Sequence, residues 1–279
     1  MPRPPPMAVT ILVWLALAVL GVAALRHLQD RLIYYPGRYA RALDQLPATI
    51  EPVRYTTASG EQIAFLLPAN AQHPPRVWLV FGGNADLALN WADWLLPRTH
   101  AGEAFFLIDY PGYGYSEGNP SAQAIRVASY AAFEALAARL EEDPRVLRTR
   151  TCLLGHSIGA AAALELAVRH PPRCLMLVAP FTTLRAIGQH VFGGWIGPLV
   201  RNDYDNIARL AELEPHAPAV YVVHGARDTI IPARFGRELA SRFPWIRYHE
   251  VPQAGHNDIF AIAGDRIRQL MVEGAASQP

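Results

Sequence analysis

From residue 53 onward the chain alternates short apolar runs with longer stretches of helical periodicity, and this alternation limits its fold more than any other feature. The runs fall at residues 77–81, 105–110, 151–154, 174–178, 219–223 and 247–251. They are rich in Val, Leu, Ile and Phe and apolar on both faces, as strands of a parallel sheet covered by helices must be. Residues 53–57 and 62–67, separated by Ala58-Ser59-Gly60-Glu61, read as a hairpin. Between the runs, residues 122–140 place Ile125, Ala128, Ala132, Leu136 and Leu140 at helical spacing, giving one buried face. Residues 158–169 are Ala-rich, so that backbone can approach a sheet closely, and 232–243 and 257–272 are further amphipathic stretches. Strand–helix alternation of this kind predicts an α/β fold with a mainly parallel sheet flanked by helices. Residues 184–215, with Trp195 and no strand signal, are too long for a crossover helix alone and predict a small helical lid.

The N-terminus breaks the pattern. Residues 8–25 carry no charge, and as a helix would span about 27 Å, near the thickness of a bilayer core. Arg3 precedes the run and Arg26, His27 and Arg31 follow it. The expected organisation is an N-terminal transmembrane anchor over 1–30, a linker over 31–52 and a catalytic domain over 53–273. A cleaved signal peptide is the alternative. The basic residues after the run outnumber Arg3, but a very short N-terminal tail argues the other way, so the side of the membrane stays open.

Chemistry concentrates at Gly155-His156-Ser157-Ile158-Gly159. A G-x-S-x-G sequence between a strand and a helix puts its serine on a tight, strained turn with the hydroxyl clear of the sheet edge, and Gly155 and Gly159 let strand and helix approach. A serine hydroxyl is a weak nucleophile; it needs a base, and the base an orienting acid. On this fold the order is Ser, acid, His. His256 follows the last strand in a loop free to swing over Ser157. Asp228, just beyond the 219–223 run, is preferred as acid to Asp258, which suits the first turn of a helix. His224 is read as bracing the Asp228 turn. The oxyanion needs two backbone N–H groups. Ile158 supplies one, and Asn84 in the glycine turn Phe81-Gly82-Gly83-Asn84-Ala85 the other, with Gly83 the fallback.

These segments, with Arg31-Leu32-Ile33-Tyr34-Tyr35-Pro36, Asp109-Tyr110-Pro111-Gly112-Tyr113-Gly114-Tyr115-Ser116-Glu117-Gly118, Tyr204-Asp205-Asn206, Ile231-Pro232 and Gly255-His256-Asn257-Asp258, stand in one order across nearly all of the chain after residue 30. So arranged, the chain resembles the α/β-hydrolase superfamily, and within it the membrane-anchored serine hydrolases related to Bem46 and to α/β-hydrolase-domain proteins 13 and 17. The resemblance implies Ser157, Asp228 and His256 as triad and Asn84 with Ile158 as oxyanion donors. One departure is Gly82, where relatives usually carry histidine.

Other classes find little support. Net charge is +1, from 25 basic residues, all arginine, and 24 acidic ones, so the field of a nucleic-acid binder is missing. Gly112, Gly114 and Gly118 are spaced too widely for a dinucleotide fingerprint, and neither H-E-x-x-H nor paired cysteines offer a metal site. No cofactor or metal is expected. Cys152 and Cys174 sit in apolar runs as small core residues, with a disulfide the alternative. The expected function is hydrolysis of carboxylic esters or thioesters of a small molecule or an acylated protein, at a membrane. A serine peptidase of the same fold and a non-catalytic membrane-tethered binding protein are the alternatives, and oligomeric state is left open.

Overall fold

The computed structural model describes residues 7–68, 70–99, 102–201, 203–216 and 218–276. The side chains of Ala8, Ala18, Arg26, His27, Arg98 and Thr99 lie outside the description, as do Arg3 and Pro4–Pro6.

Eight strands form one sheet: β1 (Glu51–Thr57), β2 (Gly60–Leu67), β3 (Arg76–Phe81), β4 (Glu103–Ile108), β5 (Thr151–His156), β6 (Cys174–Val178), β7 (Ala219–Gly225) and β8 (Arg247–Val251). Their order is β1-β2-β4-β3-β5-β6-β7-β8. The hairpin strand β2 is antiparallel to β1 and β4, and every later pairing is parallel. After β3 the chain steps one way to β4 and then crosses back to β5. The carboxyl ends of β3 and β5 therefore flank a switch point, the crevice where open α/β sheets bind ligands.

Helices α2 (Ala92–Thr99), α3 (Ala122–Arg139), α4 (Pro144–Leu147), α5 (Ile158–Arg169), α6 (Leu184–Phe192), α7 (Asn206–Leu213), α8 (Arg234–Arg242) and α9 (Ile259–Ala276) follow an N-terminal α1 (Met7–Ile33). Two apolar layers result, one on each face of the sheet. The α3/α5 side gathers Leu79, Phe81, Phe106, Phe133 and Leu177; the α2/α9 side gathers Trp78, Val80, Phe105, Met176 and Ile267. Strands buried on both faces are the reason their sequences do not alternate. Cys152 and Cys174 face each other across β5 and β6, fully buried, as free thiols. Their mutual hydrogen bond, with burial, pushes the Cys174 thiol up.

The two ends of the expected lid segment meet in a narrow neck. Thr183 bridges Asp205, and Leu184 N–H donates to Tyr204 O at 2.9 Å. Thr183 and Asp205 cap α6 and α7 by accepting from the N–H groups of Ala186 and Ala208. Asn206 Nδ2 donates to Phe181 O at 2.7 Å. The Tyr204-Asp205-Asn206 tripeptide thus earns its form as a clasp. Helix α7 returns to pack on α5, while Val191, Phe192 and Trp195, at the far end of α6 and just beyond it, stand exposed.

The N-terminal segment is helical as expected, but a membrane span is not shown. Among the described residues, no helix is long and apolar enough to cross a membrane. The apolar run passes through Ala8 and Ala18, whose side chains lie outside the description. Beyond α1 the chain lies against the domain: Tyr34 is buried with its hydroxyl 3.3 Å from that of Tyr204, and Tyr39 packs edge-on to Phe65.

Candidate active site

Ser157 stands between β5 and α5 with φ 58° and ψ −122°. This backbone conformation is disfavoured for a residue with a Cβ and costs of order 1–3 kcal/mol. Close packing around it holds the strain. A Cβ on Gly155 would lie 2.4 Å from Gly159 O, and one on Gly159 would lie 2.2 Å from Phe81 O and 2.4 Å from Gly82 O. Both glycines are therefore places where backbone touches backbone, and they set α5 directly against the end of β3.

The Ser157 N–H is spent on Val178 O, at 2.9 Å. That of Ile158 opens α5, where a helix offers no acceptor of its own. Neither Ile158 N–H nor Asn84 N–H is hydrogen-bonded among the described residues. Both stay available to an incoming oxyanion. Gly83 lies close to Ser157: a Cβ there would meet Ser157 Cβ at 3.6 Å and His156 Nδ1 at 3.0 Å. Gly82, the departure from the expected histidine, has its carbonyl held by Tyr110 Oη–H at 2.7 Å. Beside it Asp86 accepts from Trp91 Nε1–H at 2.7 Å, which braces the turn.

Asp228 and His256 meet, with His256 Nδ1 2.7 Å from Asp228 Oδ2. The other carboxylate oxygen accepts the N–H groups of Ile230 and Ile231, at 2.9 and 2.7 Å. Burial pushes this carboxyl up, but the hydrogen bonds of His224 and His256 and the N–H of Ile231 outweigh it and hold Asp228 well below the usual carboxylate range. Its surroundings favour the anion. Acid loop and histidine loop are also joined through backbone, since Arg227 N–H donates to Ala254 O at 2.9 Å. Gly225, which the motif reading passed over, allows this, because a Cβ there would lie 2.4 Å from Ala254 O.

His224 is wholly buried with Nε2 2.7 Å from Ile231 O, the bracing position expected of it. Asp258 accepts from Gly255 N–H at 2.6 Å and shapes the His256 loop without touching the imidazole. The sequence reading missed His156 as a site residue. Its ring lies 4.9 Å from that of His256 and 5.3 Å from Phe260. Burial first, then the neighbouring His256, drives its pKa down to about 3. A neutral, packed ring is what its environment selects, and a G-x-S-x-G pattern says nothing about its second position. No hydrogen bond joins Ser157 to His256 among the described residues. Such bonds are often loose before substrate enters. Ser157 and His256 are each 8% exposed and Asp228 5%, so all three are buried.

Comparison with known proteins agrees with this fold. Residues 77–204 match the Hydrolase_4 family, described as serine aminopeptidase, S33. Protein Rv2307c of Mycobacterium tuberculosis is 35% identical over 257 residues, covering 88% of each chain. The chain belongs to the α/β-hydrolase superfamily. α/β-Hydrolase domain-containing protein 17C of Xenopus laevis is 27% identical over 229 residues, covering 80% of this chain and 70% of its own. Among solved structures, the Pyrococcus furiosus esterase Pf2001 superposes with a TM-score of 0.62 at 15% identity, over 85% of this chain and 95% of its own, a likeness of fold. The family resemblance expected from the motifs is thereby borne out.

Proposed function

We propose that this α/β-hydrolase cleaves carboxylic ester or thioester bonds through an acyl-enzyme on Ser157. The observations that carry the reading are the strained serine at the switch point and the buried, short Asp228–His256 contact. His256 takes the Ser157 proton as the oxygen attacks the carbonyl carbon. Asp228 fixes the tautomer, keeping Nε2 as the base, and stabilises the imidazolium that forms. The N–H groups of Ile158 and Asn84 receive the charge that develops on the carbonyl oxygen. His256 returns the proton to the departing alcohol or thiol, and water repeats the sequence to free the acid.

The reading extends to location. Val9, Ile11, Leu12, Val13, Trp14, Leu15, Leu17, Val19 and Leu20 of α1 are each 46–67% exposed. Exposed apolar surface of this extent supports an apolar covering, and a lipid bilayer fits a helix apolar on every side. A membrane-held active site favours acyl chains delivered from lipid esters or acylated proteins.

The test is steady-state hydrolysis of 4-nitrophenyl butyrate and an acyl-thioester by the full chain and by Ser157→Ala. Turnover by the first and loss of at least a thousandfold in the second is expected. A second reading, peptide hydrolysis at the same serine, is favoured by the description of the matching family. Faster turnover of aminoacyl 4-nitroanilides than of esters would select it.

A further inference from the structure

The turn that carries the second oxyanion donor is pinned at both ends by the domain. Tyr110 holds Gly82 O, and Asp86 is held by Trp91 and by Asn90 Nδ2–H, the latter at 2.8 Å. Its middle is held differently. Asn84 Nδ2 donates to the carbonyl of Ile33, the last residue of α1. Asn84 Oδ1 accepts from Tyr35 N–H at 3.1 Å, from Tyr113 Oη–H at 2.9 Å and from Ala85 N–H at 3.1 Å. Tyr35 N–H also lies 3.1 Å from Tyr113 Oη. Both ends of the amide are engaged, so the side chain has one orientation. Ala85 sits at φ 62°, a conformation that a non-glycine residue adopts only when its surroundings enforce it.

The same end of α1 grips the lid. Gln29 Oε1 accepts from Arg201 N–H at 2.9 Å, Asp30 pairs with the Arg201 guanidinium, and Tyr34 meets Tyr204. A segment that would serve as a plain tether needs none of these contacts. We propose that the Asn84 side chain is a positioning residue: clamped between the Ile33–Tyr35 backbone and Tyr113, it aims the Asn84 N–H at the oxyanion, so that the carboxyl end of α1 is a working part of the active site.

This inference rests on the serine-hydrolase reading above. Its consequence is specific, because a misaimed N–H weakens binding of the transition state and leaves ground-state binding of the ester intact. Removing an oxyanion donor outright costs about 10²–10³ in kcat, which bounds the effect of misaiming one.

The experiment compares full-length wild type, Asn84→Ala, Tyr113→Phe and Ser157→Ala, purified in detergent, with 4-nitrophenyl butyrate as substrate and butylboronic acid as a tetrahedral inhibitor. Asn84→Ala keeps its own N–H. It is expected to lose roughly ten- to a hundredfold in kcat and a similar factor in boronate affinity, with KM within about twofold. Tyr113→Phe leaves the contacts to α1 and is expected to lose roughly three- to tenfold in the same two quantities. A kcat for Asn84→Ala within twofold of wild type overturns the proposal. So does a fall in kcat matched by a rise in KM and no change in boronate affinity. If Asn84→Ala does not fold, Tyr113→Phe decides alone, and unchanged kcat and boronate affinity overturn the proposal. Full activity in Ser157→Ala would instead strike the underlying serine-hydrolase reading, an outcome separable from the others.

Discussion

At the scale of single residues, the fold buries two ionisable groups that the proposed chemistry does not use and that oppose each other in acid. His156 is held down to about 3 by burial and then His256, against about 6.5 in an unfolded chain. As pH falls from 6.5 toward 3 the unfolded chain takes a proton that the fold refuses, so stability is lost over that window. Asp109 is the reverse case. Burial, outweighing the Ala88 N–H and Tyr39 hydroxyl that face it, raises its carboxyl to about 7. Its contribution is complete below the unfolded value near 3.9 and disappears as pH rises through 7. Each slope is at most about 1.4 kcal/mol per pH unit. Urea midpoints between pH 7 and 4.5 should therefore move in opposite directions on removing each group. His156→Asn should gain stability in acid relative to wild type, and Asp109→Asn should lose it. Equal pH slopes in all three proteins would contradict the account. Asp228 is a third case, because the proposed chemistry needs its anion: Asp228→Asn should lower kcat about 10³–10⁴-fold with the fold intact, measured on the same ester substrate.

At the scale of elements, the decisive contact is α5 against β3. Gly159 has no room for a methyl group, since Phe81 O and Gly82 O would lie 2.2 and 2.4 Å from it. Gly159→Ala must push α5 away from β3 and with it separate Ser157 from the oxyanion turn. Activity should fall at least about a hundredfold, in line with the loss of one oxyanion contact, and the melting temperature should drop. Gly194→Ala, in the lid where nothing lies within 4 Å, serves as the matched control and should match wild type in both. Elements with strong periodicity were the readable ones. The runs at 174–178 and 247–251 and the helix at 158–169 coincide with β6, β8 and α5 residue for residue. Helix α2 was not readable, because Pro97 lies inside it and its polar ends resemble a loop. Within the linker expected over residues 31–52, an extended segment has no period to show that Tyr34 and Tyr39 are the side chains that pack. The triad candidates could be found from chain order and from position at strand ends. The aids around them could not: Gly225 touching Ala254, His156 against His256, and Asn84 reaching Ile33 all depend on long-range approach that no local pattern encodes.

At the scale of the whole molecule, α1 combines an exposed apolar body with a carboxyl end built into the domain through Asn84, Arg201 and Tyr204. Burying each large apolar side chain stabilises by about 1.5–3 kcal/mol. Nine of them left in water on one helix would oppose solubility strongly. The proposal of a membrane-held hydrolase predicts that the full chain sediments with membranes, resists high salt and alkaline washing, and is released by detergent. Recovery in the supernatant without detergent would contradict it. Anchoring and catalysis would then share one element, with the helix that meets the lipid also setting the turn that meets the oxyanion.

The central claim, that Ser157 is an activated nucleophile, is tested most directly by reacting the full-length protein with a fluorophosphonate and locating the adduct by peptide mass. The account predicts a single adduct on Ser157, absent from Ser157→Ala and strongly slowed in His256→Ala. A folded protein that takes no label, or takes it at another residue, would contradict it.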